Sequence, residues 1–188
     1  MRRPLLLLVC LLSLTACSGK SDPPVADKTA QPIEGVQTFT DLSQKHLGKG
    51  KYDITYPQSP PVGGAHSPLW MKCQVYTEEL PKVNAVHSLE HGAVWITYLP
   101  STAPAVVQQL DELVGANQEY MMVSPYAGQD SPIIVTAWGA QLRVTSPTDS
   151  RIGEFIRAYA GHGPEQGVTC ASSGYTLEQA RQYDASQQ

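Results

Sequence analysis

Apolar and polar positions divide this chain into four regimes. Leu5 to Leu14 is a short apolar stretch interrupted by Ser13 alone, and residues 18–37, SGKSDPPVADKTAQPIEGVQ, are polar, proline-bearing and almost without periodicity. Residues 48–64 are dense in glycine and proline, so neither helix nor strand continues through Pro60-Pro61-Val62-Gly63-Gly64. Phe39 to His46 suits a short helix and Tyr52–Tyr56 a short strand. From residue 84 the periodic signals sharpen. Asn84 is a good N-cap, Ala85 to His91 suits a helix, and Gly92 is a natural stop. AVWITYL, 93–99, is β-branched and aromatic, the pattern of a buried strand ended by Pro100. Ala103 to Leu113 places Val106, Val107, Leu110 and Leu113 at helical spacing. Glu119–Val123 and Pro132–Trp138 read as strands joined by SPYAGQDS in a hairpin that Leu142–Val144 extends. Asp149 caps a helix to Tyr159 with Ile152, Phe155, Ile156 and Tyr159 on one face; GHGPEQG breaks it, and Thr176 to Tyr183 is a terminal helix.

The order from residue 93 is strand, helix, strand, strand, helix. It predicts one α+β domain, an antiparallel sheet with helices on one face and a ferredoxin-like βαββα order in the C-terminal two-thirds. No internal repeat is visible.

The N-terminal run changes the picture of where this domain sits. Arg2 and Arg3 precede an apolar stretch of about ten residues, too short to span a bilayer as a finished helix, so residues 1–16 read as a signal peptide. The run ends in Leu14-Thr15-Ala16-Cys17, which resembles the lipobox of bacterial lipoproteins. That resemblance implies lipidation of Cys17, a palmitate-bearing N-terminus on the extracytoplasmic side, and a membrane partner held through lipid. Ser18 after the cysteine leaves either the cell membrane or the outer membrane as the destination. Residues 17–38 are then the lipidated cysteine and a tether, and 39–188 the domain.

Cleavage leaves 172 of the 188 residues, enough for one core, and removes two arginines. The mature chain holds 11 basic against 17 acidic residues, a net of −6, which argues against a nucleic-acid partner. No protein partner is named by any motif. Of four cysteines, Cys10 leaves with the signal and Cys17 takes lipid. Cys73 and Cys170 remain, and in an oxidising compartment such a pair usually forms a disulfide; Cys73 as a metal ligand, or two free or otherwise engaged thiols, are the alternatives.

The candidate chemistry lies in HSLEH, 87–91. Extended, His87 and His91 would stand about 13 Å apart, too far to share an ion. In a helix they stand one turn apart, their Cβ atoms about 5–6 Å from each other, and can. Glu90 is a further ligand, a base, or the acceptor that fixes an imidazole tautomer. His66 supplies a third imidazole after the Pro/Gly loop, and the expected metal set is His66, His87, His91 and Glu90. His46 and His162 read as ordinary hydrogen-bonding or surface residues, although the GHGP loop around His162 has the composition to fold back over the site. Met71, Met121 and Met122 are soft donors or core gap-fillers, and alternation sends Met121 and Met122 to opposite faces. HSLEH also fits the H-x-x-E-H pattern of inverted zinc peptidases, but Gly92 stops the helix after about two turns, short for that chemistry.

Three segments, PPVGGAH (60–66) with Trp70 and Cys73 after it, AVHSLEHGAVWITY (85–98) and SPIIVTAW (131–138), resemble the DUF3105 family of exported bacterial proteins. The resemblance spans roughly residues 40–165. It implies an exported, membrane-associated setting and no reaction, since the family is named for unknown function. The residues favour an ion-binding lipoprotein, holding copper or zinc, with no catalytic residue assigned. The alternatives are an interaction or scaffold lipoprotein with structural histidines, and a metal-dependent hydrolase with Glu90 as base.

Overall fold

The computed structural model describes residues 32–115 and 118–188. The signal segment, Cys10 and Cys17 lie outside them. Among the described residues the elements run β1 (Gln37–Thr38), α1 (Lys82–Glu90), β2 (Val94–Tyr98), α2 (Pro104–Gly115), β3 (Met121–Pro125), β4 (Ile133–Ala137), β5 (Ala140–Val144), α3 (Ser150–Tyr159), α4 (Cys170–Ser173) and α5 (Leu177–Ser186). They form a single α+β domain, as the pattern predicts. The sheet is mixed and mostly antiparallel, in the order β1-β5-β4-β2-β3.

The pairing differs from the expected hairpin. β2 and β3 are adjacent and parallel, joined through α2, because a parallel neighbour needs a crossover element. β4 then returns antiparallel on the other side of β2, so β2 separates β3 from β4, and the true hairpin is β4–β5. β3 is left at the edge. Its ladder is capped by residues 74–76: Tyr76 N–H donates to Val123 O (2.8 Å) and Val123 N–H to Gln74 O (3.1 Å). β1 lies inside the stretch expected to be tether, and pairs with β5.

Every residue of β2, β3 and β4 is buried, because both sheet faces are covered. One face carries Val94, Ile96, Met121, Val123, Ile133, Val135 and Leu142 against α2 and α3, the two helices of the βαββα run. Phe155 and Ile152 of α3 are fully buried there, each burial worth roughly 1.5–3 kcal/mol. Asp149 caps α3, accepting from Arg151 N–H at 3.0 Å. Thr176 and Gln179 form a capping box on α5.

The opposite face is covered by α1, α5 and irregular chain, with Trp95, Met122 and Trp138 packing on Ala85, Val86, Leu89 and Met71. It is also more polar. Trp95 Nε1–H donates to Ser124 Oγ (2.9 Å), and Gln141 Nε2–H to Pro60 O (3.0 Å). Gly139 N–H donates to Val62 O (2.8 Å), so the Pro/Gly loop is pinned to the β4–β5 turn.

Three local expectations are corrected. Phe39–His46 is not helical: Phe39 N–H donates to Gly139 O, and Asp41 sits at φ 59°, outside helical backbone. Tyr52–Tyr56 is not a strand, and Tyr56 instead reaches across to donate its hydroxyl to Ala65 O (2.6 Å). Asn84 is not a cap. It lies inside α1, fully buried, its Nδ2–H donating to Leu69 O (2.9 Å).

Cys73 and Cys170 are joined in a disulfide, Cα atoms 5.0 Å apart across 97 residues of sequence. Backbone bonds from Cys73 N–H to Cys170 O and from Tyr175 N–H to Trp70 O run alongside it. Closing so long a loop restricts the unfolded chain, so Cys73→Ser/Cys170→Ser loses about 2–5 kcal/mol of unfolding free energy in denaturant titration. An unchanged midpoint would show that the cross-link contributes nothing.

Candidate metal centre

Three separate stretches meet at HSLEH. α1 carries His87 and Glu90, both buried, and His91 is its C-cap residue. The Pro/Gly loop delivers His66, fully buried. Its backbone bridges residue 46: His66 N–H donates to Lys45 O (3.0 Å) and Leu47 N–H to His66 O (2.7 Å), which places the His46 ring 5.1 Å from His66 and 4.8 Å from His87, centroid to centroid. The His66 and His87 rings are 4.8 Å apart. One ligand atom from each of His46, His66, His87 and Glu90 falls within 4.8 Å of all the others. Buried His/Glu groups of this kind could hold a metal ion.

The orientation of the rings matters as much as their distance. His66 Nδ1 lies 2.8 Å from Gly64 O, and His87 Nδ1 lies 2.7 Å from Ser67 O. A carbonyl can only accept, so both Nδ1 atoms are assigned the proton, and both Nε2 atoms carry free lone pairs. Ligating histidines are commonly fixed in this way. His66 Nε2 then sits 2.8 Å from Glu90 Oε2 without hydrogen-bond alignment. Two electron-rich atoms at that separation require positive charge, either a proton or a cation.

The surroundings of His87 and His91 disfavour their charged forms. Trp70 lies 5.1 Å from His87 and 4.9 Å from His91, and Trp138 lies 6.0 Å from His66, centroid to centroid. Burial, reinforced by His66 and His91 nearby, lowers His87 from its ordinary 6.5 to about 3. Burial also lowers His91, against the opposing pull of Glu165.

Of the expected set, the structure brings His66, His87 and Glu90 together. His91 is excluded from that group: its ring stacks on His87 (4.7 Å, 26° between planes) and it joins His87 and Glu165 in a second group. His46, read from sequence as an ordinary residue, takes its place. Glu165 was not foreseen. The GHGPEQG loop does fold back, Gly161 N–H donating to Gly92 O (2.9 Å) and Glu165 N–H to Glu90 O (3.1 Å), but His162 joins neither group. Two glycines permit this approach. Gly92 adopts φ 89°, where an added Cβ would meet Gly161 C at 2.8 Å, and a Cβ on Gly163 would strike Glu90 O.

Sulfur plays no part in the first group. Cys73 is in the disulfide, Met71 and Met122 pack in one core cluster and Met121 in the other, and all three methionines are fully buried.

The fold and these groups define an α+β domain with a buried imidazole–carboxylate centre. The chain belongs to the family described as Protein of unknown function (DUF3105), whose model matches residues 49–172. That span includes His66, His87, Glu90, His91, Glu165 and both cysteines, and stops short of His46. No curated protein and no solved structure matches the chain. No helix among the described residues is long and apolar enough to cross a membrane.

The lowered histidine values fix the sign of an acid effect. Between pH 6.5 and about 3 the unfolded chain takes up a proton on residue 87 that the folded chain refuses, so acid favours unfolding. The stability is fully present above about 6.5 and is lost as pH falls below it. In chelator-treated protein, calorimetry should show Tm dropping steadily from pH 7 to 4, and less steeply for His87→Asn. Parallel pH profiles for the two proteins would contradict a buried neutral imidazole.

Proposed function

We propose that this protein is a lipid-anchored, extracytoplasmic binder of a borderline divalent transition metal, zinc(II) or copper(II), held by His46, His66, His87 and Glu90. The observation that carries the reading is the pair of carbonyl-tethered imidazoles, rings 4.8 Å apart, with His66 Nε2 2.8 Å from the buried Glu90 carboxylate. Three imidazoles and one carboxylate oxygen suit either ion, whereas copper(I) prefers the thiolate and thioether sulfur that is engaged elsewhere. The lipobox-like Leu14-Thr15-Ala16-Cys17 supports the anchor, and a Cys73–Cys170 disulfide accords with an oxidising compartment.

Glu90 contacts a ligand imidazole, and the inner three donors are almost fully enclosed, with only His46 exposed. Such a site favours holding or passing an ion over turning over a bulky substrate, so delivery, sensing or protection fits better than hydrolysis.

Isothermal titration of the purified protein with zinc(II) and copper(II) should give one ion per chain, with a rise in Tm on loading. His46→Ala, His66→Ala and His87→Ala should each weaken binding by more than about tenfold. Heats unaffected by His66→Ala and His87→Ala in folded protein would remove the reading. A folded wild-type protein that takes up neither ion would instead favour structural histidines in a scaffold lipoprotein.

A further inference from the structure

We infer that the protein carries a second cation position, formed by His91, Glu165 and the shared His87, which competes with the first for a single divalent ion. It rests on the reading above, because the competition runs through His87. One donor atom from each of these three residues lies within 4.8 Å of the other two. His91 is 4% exposed, and neither of its ring nitrogens makes an aligned hydrogen bond; the polar groups that act on it most are the main chain and carboxylate of Glu165. A buried imidazole without an aligned bond on either nitrogen is unusual and leaves a nitrogen available to a ligand.

Glu165 is exposed, but its backbone is fixed to the HSLEHG turn through Glu90 O, and the flanking loop is seated by Gly161 on Gly92. The carboxylate is therefore held over His91 by main-chain bonds, not by a salt bridge of its own.

His87 decides that the two positions exclude each other. Its Nδ1 proton is committed to Ser67 O at 2.7 Å, which leaves one lone pair, on Nε2. A ring with one free lone pair binds one ion at a time; bridging two ions would require it to lose that proton and bond. The first position reaches solvent at His46 and the second at Glu165. Two nitrogens and one carboxylate oxygen form a weaker set than the four donors of the first position, open to water on the Glu165 side. An ion entering at Glu165 can pass to the stronger set by moving across the fixed His87 Nε2, from the His91 side to the His66 side.

The test is a zinc(II) competition titration against a chromophoric chelator, using the purified wild-type protein, His46→Ala, Glu165→Gln and the double variant. Both altered residues are exposed, and circular dichroism confirms that each variant folds. With the first position intact, Glu165→Gln should change apparent affinity by less than about twofold, and stoichiometry should be one. With His46 removed the ion redistributes, and Glu165→Gln should then weaken binding by at least about fivefold. The same fold-change in both backgrounds, or no effect in the His46→Ala background, would overturn the second position while leaving the first, and two ions per wild-type chain would overturn the competition between them. No zinc(II) uptake by folded wild-type protein would overturn both.

Discussion

Two backbone carbonyls, Gly64 O and Ser67 O, set the chemistry of this molecule. By accepting from Nδ1 of His66 and His87 they fix both tautomers and leave the Nε2 lone pairs for other partners, on rings 4.8 Å apart. Both carbonyls belong to a single irregular loop, so the site is only as exact as that loop. Polar groups from the sheet, from α1 and from the chain before the loop hold it in place. Gln141 holds Pro60 O, the β4–β5 turn holds Val62 O, Tyr56 holds Ala65 O, and Asn84 holds Leu69 O. An apolar face would pack as well but would not fix the loop at the two carbonyls on which the Nδ1 bonds depend.

The same arrangement sets stability against function. A carboxylate and several imidazoles among Trp70, Trp138 and Leu89 are costly to bury unless something positive sits between them. A proton can meet that need at Glu90 and His66, but burial and the crowd of neighbouring rings oppose a charge on His87. A divalent cation would serve all four donors at once. The ion would then be a structural element, and its binding energy would feed directly into the fold.

Much of the frame was legible because the chain is locally consistent. The β-branched run 94–98, the spacing of Ile152, Phe155 and Ile156, and the Asp149 and Thr176 caps each report their own element. What failed was pairing between elements. Alternation says that 121–125 and 133–137 are strands but not that β2 lies between them, since that depends on the α2 crossover. Asn84 looked like a cap because cap residues and buried helical asparagines share one chemistry, and only the carbonyl of Leu69 distinguishes them.

The site followed the same rule. His87 and Glu90 were readable from helical spacing, and His66 from its place after the Pro/Gly loop. The substitution of His46 for His91 was not. His91 is closest to His87 in sequence, yet neighbours one helical turn apart can stack ring on ring, as these do, and a stacked pair does not aim two lone pairs at the first group. His46 comes from 41 residues upstream through a single backbone bridge, with no periodic pattern to announce it. Glu165 is placed by its amide rather than by its side chain. The glycines at 92, 161 and 163 were the available signal: glycines on both HSLEHG and GHG permit two backbones to touch, and that contact carries an acidic residue to the open side of His91. Each residue of the two groups that sequence spacing missed is held by main-chain geometry, and each one it found sits on a helix or follows a loop whose composition already marks it as irregular.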